Sequence, residues 1–195
     1  MQWLPRLKIF RNPMASLGLE SENLNEGLKE KLEENPAQKS LEPENRGTLL
    51  HLCLEHLHLT GDPHQDALAA LNFGLRQYPL PVPHDQALRT DALTALHWFA
   101  SQPQSARWLS EGWPEHSLLT AKGRLLRMDL LVHEAWGLLV IDYKSGQAKA
   151  EHEEQVRDYL DALALSPENR HTPVLGLLVY LDLRRFRLVT PEGVS

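Results

Sequence analysis

The stretch that decides the fold runs from Gly137 to Lys144 and reads Gly-Leu-Leu-Val-Ile-Asp-Tyr-Lys. A run of Leu, Val and Ile of this length is typical of a strand that is buried on both faces. The strand ends in polar residues, so Asp142 and Lys144 are expected where it leaves the sheet. Because side chains two residues apart on a strand project from the same face, the carboxylate and the ammonium should lie on one side.

A second carboxylate, Asp129, precedes Asp142 by 13 residues, on a strand predicted for residues 125–133. The opposite face of that strand is predicted to carry the apolar side chains of Met128, Leu130 and Val132. If the two strands pair as a hairpin around residues 134–137, both carboxylates meet at one edge of the sheet. Two carboxylates there suit a hard cation such as Mg²⁺, beside which Lys144 could orient a water or stabilise charge on a phosphate. A buried Asp–Lys ion pair with a loop-capping Asp remains the alternative.

The segments on either side predict an α/β fold. Apolar residues at helical spacing indicate helices before the strands, the first of them entered through Arg46-Gly47-Thr48 with Thr48 as a hydroxyl cap and ended by Gly61. Two further helices are predicted over residues 67–78 and 85–101, and a fourth over 151–165. Strands are predicted at residues 106–109, 116–120, 125–133, 137–144, 173–181 and 185–190. This order predicts a mixed sheet flanked by helices.

Charge divides the chain into two parts. The 195 residues carry a formal charge of −6, which argues against a protein that coats nucleic acid with a basic surface. Between residues 20 and 44, however, eight Glu oppose three Lys, a local balance of −5. We therefore expect an N-terminal arm and acidic linker over residues 1–45 and one folded domain over residues 46–195.

Composition also excludes several classes of protein. The single cysteine, Cys53, cannot form an internal disulfide, a four-Cys zinc site or a four-Cys iron–sulfur cluster. The longest apolar run is far shorter than the roughly 20 residues that a bilayer span needs, and no secretory signal is visible. The sequence therefore favours a cytoplasmic protein without a membrane partner.

Two helical segments add polar groups to the predicted site. Gln155 and Tyr159 are four residues apart on the fourth predicted helix, hence on one face, from which an amide and a phenol could hold DNA. His51 lies among Leu residues of the first helix, where a core imidazole is the alternative to a ligand. Three neighbours suggest zinc, but the four side chains do not share one helical face: His51, Cys53, His56 and His58.

Together these motifs resemble the nuclease domain of the RecB/AddA helicase–nucleases, in the PD-(D/E)xK superfamily. The motifs are R-G-T-x-x-H from Arg46, the isolated Asp129, D-Y-K-S-G from Asp142, and Q-x-x-x-Y from Gln155. They occur in the family's order and span residues 46–159. The resemblance implies a restriction-endonuclease-like mixed sheet flanked by helices, and a DNA exonuclease that acts in recombination and repair.

The resemblance also implies a role for each matching residue. Mg²⁺, with Mn²⁺ as the alternative, would be held by His51, Asp129, Asp142 and the backbone carbonyl of Tyr143. Lys144 matches the catalytic lysine, while Gln155 and Tyr159 match the motif that positions the DNA strand. Glu115 is a further possible acidic residue of the site. No iron–sulfur cluster is expected, and a helicase or another DNA-processing protein is the implied partner.

One departure from the family pattern concerns activity. The family usually has Gly two residues before the first Asp, where this chain has Arg127. An Arg there could crowd the metal edge or contact a DNA phosphate. A catalytically silent module that binds DNA ends or a helicase is therefore the alternative function.

Overall fold

The computed structural model describes residues 43–78, 86–120 and 123–191. The arm and linker predicted for residues 1–45 lie, up to residue 42, outside these ranges. Within these ranges four helices precede the strands: α1 (Pro43–Glu55), α2 (Pro63–Gln77), α3 (Gln86–Ala100) and α4 (Ser105–Glu111). Helix α2 begins where the Asp62 carboxylate accepts the backbone N–H groups of His64 and Gln65, each at 3.1 Å, as expected of an N-cap.

The strands of the described residues form one mixed five-stranded sheet in the order β1-β2-β3-β4-β5. They are β1 (Trp113–Leu119), β2 (Leu125–Glu134), β3 (Gly137–Lys144), β4 (Val174–Tyr180) and β5 (Arg185–Val189). Strands β3 and β4 are parallel, and the other neighbours are antiparallel. Helix α5 (Ala150–Leu165) and the short 3-10 helix Pro167–Asn169 connect β3 to β4. The predicted mixed α/β architecture is confirmed.

The sheet separates two apolar cores. On one face, buried residues of α1 to α4 pack against Leu139 and Ile141 of β3. On the other face, Val156 and Leu160 of α5 pack against Val140 of β3 and its neighbours in β4. Strand β3 is thus covered on both sides, which explains its continuous apolar run. No helix in the described ranges has both the length and the apolar character needed to cross a bilayer.

Two predictions about the helical layer were wrong. Residues 106–109 belong to helix α4 and not to a strand, because a short apolar run without a clear period does not distinguish the two. Trp108 of α4 is fully buried and its ring meets that of Phe186 edge to face. Helix α1 begins at Pro43 and ends at Glu55, so Thr48 lies inside the helix and is not its cap.

The predicted alternation along β2 was also wrong at one point. Leu130 and Val132 pack in the core beside α1 to α4, as expected for one face, but Met128 packs in the core beside α5. The alternation therefore breaks at Asp129. The break coincides with Glu115 on the neighbouring strand, which has a left-handed backbone (φ 52°). Side-chain direction at this point depends on the pairing of two strands, which the sequence of one strand does not reveal.

The close contact of α5 with β4 leads to a stability prediction. A Cβ atom added at Gly176 would lie 2.2 Å from Val156 Cγ1. Gly176→Ala should therefore lower the free energy of unfolding by about 1 to 3 kcal/mol, as overpacking does in a dense core. Urea denaturation measures the change.

A double variant supplies the control. Val156→Ala removes the methyl group that clashes, so Gly176→Ala should cost at least about 1 kcal/mol less in that background than in the wild type. Strictly additive losses would show that the two residues are not in contact.

Candidate active site

The end of β3 and one face of α5 bring four polar side chains together. Lys144 Nζ lies 2.6 Å from Asp142 Oδ2 and donates a hydrogen bond to Gln155 Oε1 at 2.9 Å. The Gln155 amide in turn donates to the hydroxyl of Tyr159. As predicted, Asp142 and Lys144 lie on one side of the sheet. Gln155 and Tyr159 of α5 lie on that same side and face them.

Asp129 stands where β2 and β3 stop pairing. The register between these strands runs from Glu134 opposite Gly137 to Leu130 opposite Ile141. At the next position the Asp129 side chain takes over, because its Oδ2 accepts the backbone N–H of Tyr143 at 2.7 Å. The hairpin therefore brings Asp129 beside Asp142, as the sequence predicted.

Helix α1 carries His51 to the same place. His51 Nε2 lies 3.2 Å from the Tyr143 carbonyl oxygen, and Nδ1 lies 3.5 Å from Asp129 Oδ1. Burial lowers the pKa of His51, which favours the neutral imidazole. A neutral imidazole has one N–H, so only one of these two contacts can be a hydrogen bond at a time. In the other, a nitrogen lone pair faces an oxygen, an arrangement that a bound cation would satisfy.

Burial is the main influence on the pKa values of Asp129 and Asp142. The Asp142 side chain is 2% exposed and the Asp129 side chain 15% exposed. Desolvation raises the pKa of both, and the charge of Asp129 raises that of Asp142 further, although Lys144 acts in the opposite direction. Asp142 Oδ2 is buried, and the Lys144 ammonium lies 2.6 Å from it. A buried pair of mutually repelling carboxylates is an arrangement that a divalent cation would stabilise.

The donor set fits Mg²⁺ or Mn²⁺ in its chemistry, since it consists of two carboxylates, one carbonyl oxygen and one imidazole. In the described parts of the chain, no three His, Cys, Asp or Glu side chains are spaced to bind a metal as they stand. Asp142 is turned toward Lys144 instead.

Cys53 is buried and packs at Gly74, and His56 stacks on Phe73, so these two residues serve the packing of α1 on α2.

Glu115 and Arg127 form an ion pair at the mouth of the site. Arg127 Nε lies 2.7 Å from Glu115 Oε2, and the Arg127 side chain is 68% exposed. Glu115 lines the same cleft as His51 and Asp129, and its charge contributes to the electrostatics of both. Arg127 is therefore directed toward Glu115 and solvent.

Sequence patterns did not point to Asp182, which follows β4 and holds the site together. One oxygen of its carboxylate forms an ion pair with Arg46 of α1, and the other accepts the backbone N–H of Gly146 at 2.6 Å. Gly47 is adjacent, and a Cβ there would lie 3.0 Å from Ser145 Oγ. Asp182 therefore ties the helix that carries His51 to the loop that follows Lys144. The only sequence signal is an acidic residue after a buried strand, which is too common to be diagnostic.

Comparison with protein-family models places the chain in a superfamily. A family model described as the PD-(D/E)XK nuclease superfamily matches residues 24–194. A search of curated proteins finds no significant match.

The bridge made by Asp182 should matter for stability. Asp182→Ala leaves Arg46, whose side chain is 18% exposed, without its carboxylate partner and the Gly146 N–H without an acceptor. We expect a loss of about 2 to 4 kcal/mol in the free energy of unfolding. Asp158→Ala is the control, since Asp158 pairs with Arg124 at the surface and its loss should cost about 1 kcal/mol at most. Equal losses in both variants would contradict the bridging role.

The repulsion between the carboxylates predicts that Asp129→Asn stabilises the protein when no divalent ion is added. The amide oxygen can still accept the Tyr143 N–H while the charge is removed. The pKa of Asp129 is higher in the folded than in the unfolded protein. Its ionisation therefore opposes folding in full above the folded-state pKa, and has no effect below the unfolded-state pKa near 3.9. We expect a gain of about 1 to 2 kcal/mol at pH 7.5 that shrinks as the pH falls toward about 4.

Thermal melts of both proteins across that pH range measure the gain. Asp161→Asn removes an exposed carboxylate and should leave the melting temperature almost unchanged. A wild-type protein more stable than Asp129→Asn at pH 7.5 would show that Lys144 outweighs the burial of the pair.

Proposed function

The chain belongs to the PD-(D/E)XK nuclease superfamily, and we propose that it is a Mg²⁺-dependent DNA nuclease of the RecB/AddA type. The observation that carries this proposal is the convergence of Asp129, Asp142 and Lys144 at the end of β3. The motif residues of α5 and α1 meet them there through the contacts of Gln155 and His51. Separate elements of the fold thus supply one site with the residues of four motifs.

In this proposal His51, Asp129, Asp142 and the Tyr143 carbonyl hold the ion. When bound, Mg²⁺ supplies charge neutralisation at the scissile phosphate and a water of lowered pKa. Lys144 places its ammonium on the α5 side of the sheet, fixed between Asp142 Oδ2 and Gln155 Oε1. A charge fixed in advance can stabilise the negative charge that develops on the phosphate without reorganising during the reaction.

Gln155 and Tyr159 divide the task of holding the strand. Tyr159 is 3% exposed and its hydroxyl accepts the Gln155 amide, whereas Gln155 is only partly buried. We propose that Gln155 reaches the DNA near the scissile phosphate and that Tyr159 acts through Gln155 by fixing the amide. The amide oxygen of Gln155 also accepts the hydrogen bond that orients Lys144. The Gln155 side chain therefore links the position of the DNA strand to that of the catalytic charge.

The charge of the chain bears on how DNA reaches the site. Five of the six net negative charges fall between residues 20 and 44, so the rest of the chain is close to neutral. Affinity for DNA depends strongly on cationic contacts to phosphate, and a nearly neutral domain has little of it. We propose that a helicase or another DNA-processing protein delivers the strand, in recombination or repair.

A silent module that binds without cutting is the competing function. The residue that favoured it, Arg127, is paired with Glu115 and largely exposed. The Asp129, Asp142 and Lys144 side chains are all present and in contact with the groups described above. The complete set supports a nuclease that cuts.

Removing either charged group at the end of β3 should abolish cleavage. Lys144→Ala and Asp142→Asn should each lower the rate of Mg²⁺-dependent DNA degradation by about 10²-fold or more, as loss of a preorganised charge does. Lys149→Ala is the matched control, because Lys149 is exposed and lies just beyond the site, so its loss should change the rate by less than about threefold.

The assay follows release of labelled nucleotides from linear single- and double-stranded DNA, with far-ultraviolet circular dichroism to show that each variant is folded. Equal cleavage by the wild type and both site variants would contradict the proposed active site. Absence of cleavage in the wild type, together with no thermal stabilisation by Mg²⁺ or Mn²⁺, would favour the silent module.

A further inference from the structure

Glu115 is held in a strained conformation beside the site. Its φ of 52° is in the left-handed region, which costs a residue other than Gly about 1 kcal/mol or more. The neighbouring positions are fixed by pairing, since Pro114 lies opposite Leu130 and His116 opposite Met128. The pairing of β1 with β2 on either side of Glu115 therefore maintains the strained backbone. Backbone strain of this kind is concentrated at functional sites.

The strained residue lies on the cleft that His51 and Asp129 also line. Burial has the largest effect on the pKa values of His51 and Asp129, but the charge of Glu115 also raises both. Glu115 and His51 line a cavity of about 520 Å³ that Arg127 also borders. Glu115 is thus a third acidic residue of the site, and Arg127 neutralises it.

The contact between Glu115 and Arg127 is easily exchanged. Arg127 is 68% exposed, and ion pairs in such positions contribute about 0 to 1 kcal/mol. A guanidinium forms two parallel hydrogen bonds with a phosphate, which are stronger than an exposed pair. A DNA backbone entering this cleft is therefore a competitive partner for Arg127.

We propose that Arg127 is a latch that exchanges partners: Glu115 holds it without DNA, and a backbone phosphate takes it when DNA enters. This inference rests on the proposed nuclease function. Once Arg127 has moved, the Glu115 carboxylate faces His51 and Asp129 without a neutralising cation and adds its charge to the field that attracts a divalent ion. DNA binding and cation binding then favour each other, and the coupling is reciprocal.

The test removes the latch and measures the two binding events separately. In EDTA, Arg127→Ala should weaken the binding of a fluorescent oligothymidine by about threefold to tenfold, as loss of one strong phosphate contact does. Without DNA, the Mg²⁺ concentration at the midpoint of thermal stabilisation should fall in Arg127→Ala by a similar factor, because Glu115 is no longer neutralised. Adding Glu115→Gln to Arg127→Ala should return the midpoint to the wild-type value or above it.

Arg124→Ala is the charge-matched control, since Arg124 directly precedes β2, the strand that carries Arg127, and pairs with Asp158. It should leave both the Mg²⁺ midpoint and the affinity for oligothymidine within about twofold of the wild type. Arg127→Ala behaving like Arg124→Ala in both measurements would overturn the latch and leave a surface ion pair. A wild type that neither binds Mg²⁺ nor cuts DNA would instead contradict the proposed function.

Discussion

The site depends on one hydrogen bond, from the backbone N–H of Tyr143 to the carboxylate of Asp129. It forms where the ladder between β2 and β3 ends, so a side chain replaces the backbone acceptor that continued pairing with β2 would have offered. Asp129 is thereby fixed beside Asp142, and the Tyr143 carbonyl remains close to His51. The side chains of the candidate site lie around this short segment of β3, whose position is set by apolar cores on both faces.

The arrangement is costly without a cation. Two buried carboxylates repel each other, a left-handed Glu adds backbone strain, and the imidazole has two acceptors for one proton. The rest of the fold offsets this through apolar burial and through Asp182, which fixes α1 and the loop after β3 at once. Such local destabilisation within a well-packed frame is common where a site is built to bind a charged ligand.

The sequence predicted most of the frame, and where most of the candidate site residues lie, for identifiable reasons. Strand β3 was predicted with its exact bounds, because a doubly buried strand has a continuous apolar run that stops at polar residues. Helix α4 was missed because a short apolar run has no measurable period. The break in side-chain alternation at Asp129 and the role of Asp182 both depend on contacts with other segments of the chain. Arg46 and Asp182, for example, are 136 positions apart. Patterns along one segment hold no information about such contacts.

We propose that Asp129, Asp142 and His51 form a cation site at the end of β3. X-ray diffraction from crystals soaked in Mn²⁺, recorded where manganese scatters anomalously, tests it most directly. We expect an anomalous peak within coordinating distance of both carboxylates and of the His51 ring. A peak only at another place on the protein, or no peak at Mn²⁺ concentrations that support DNA cleavage, would contradict it.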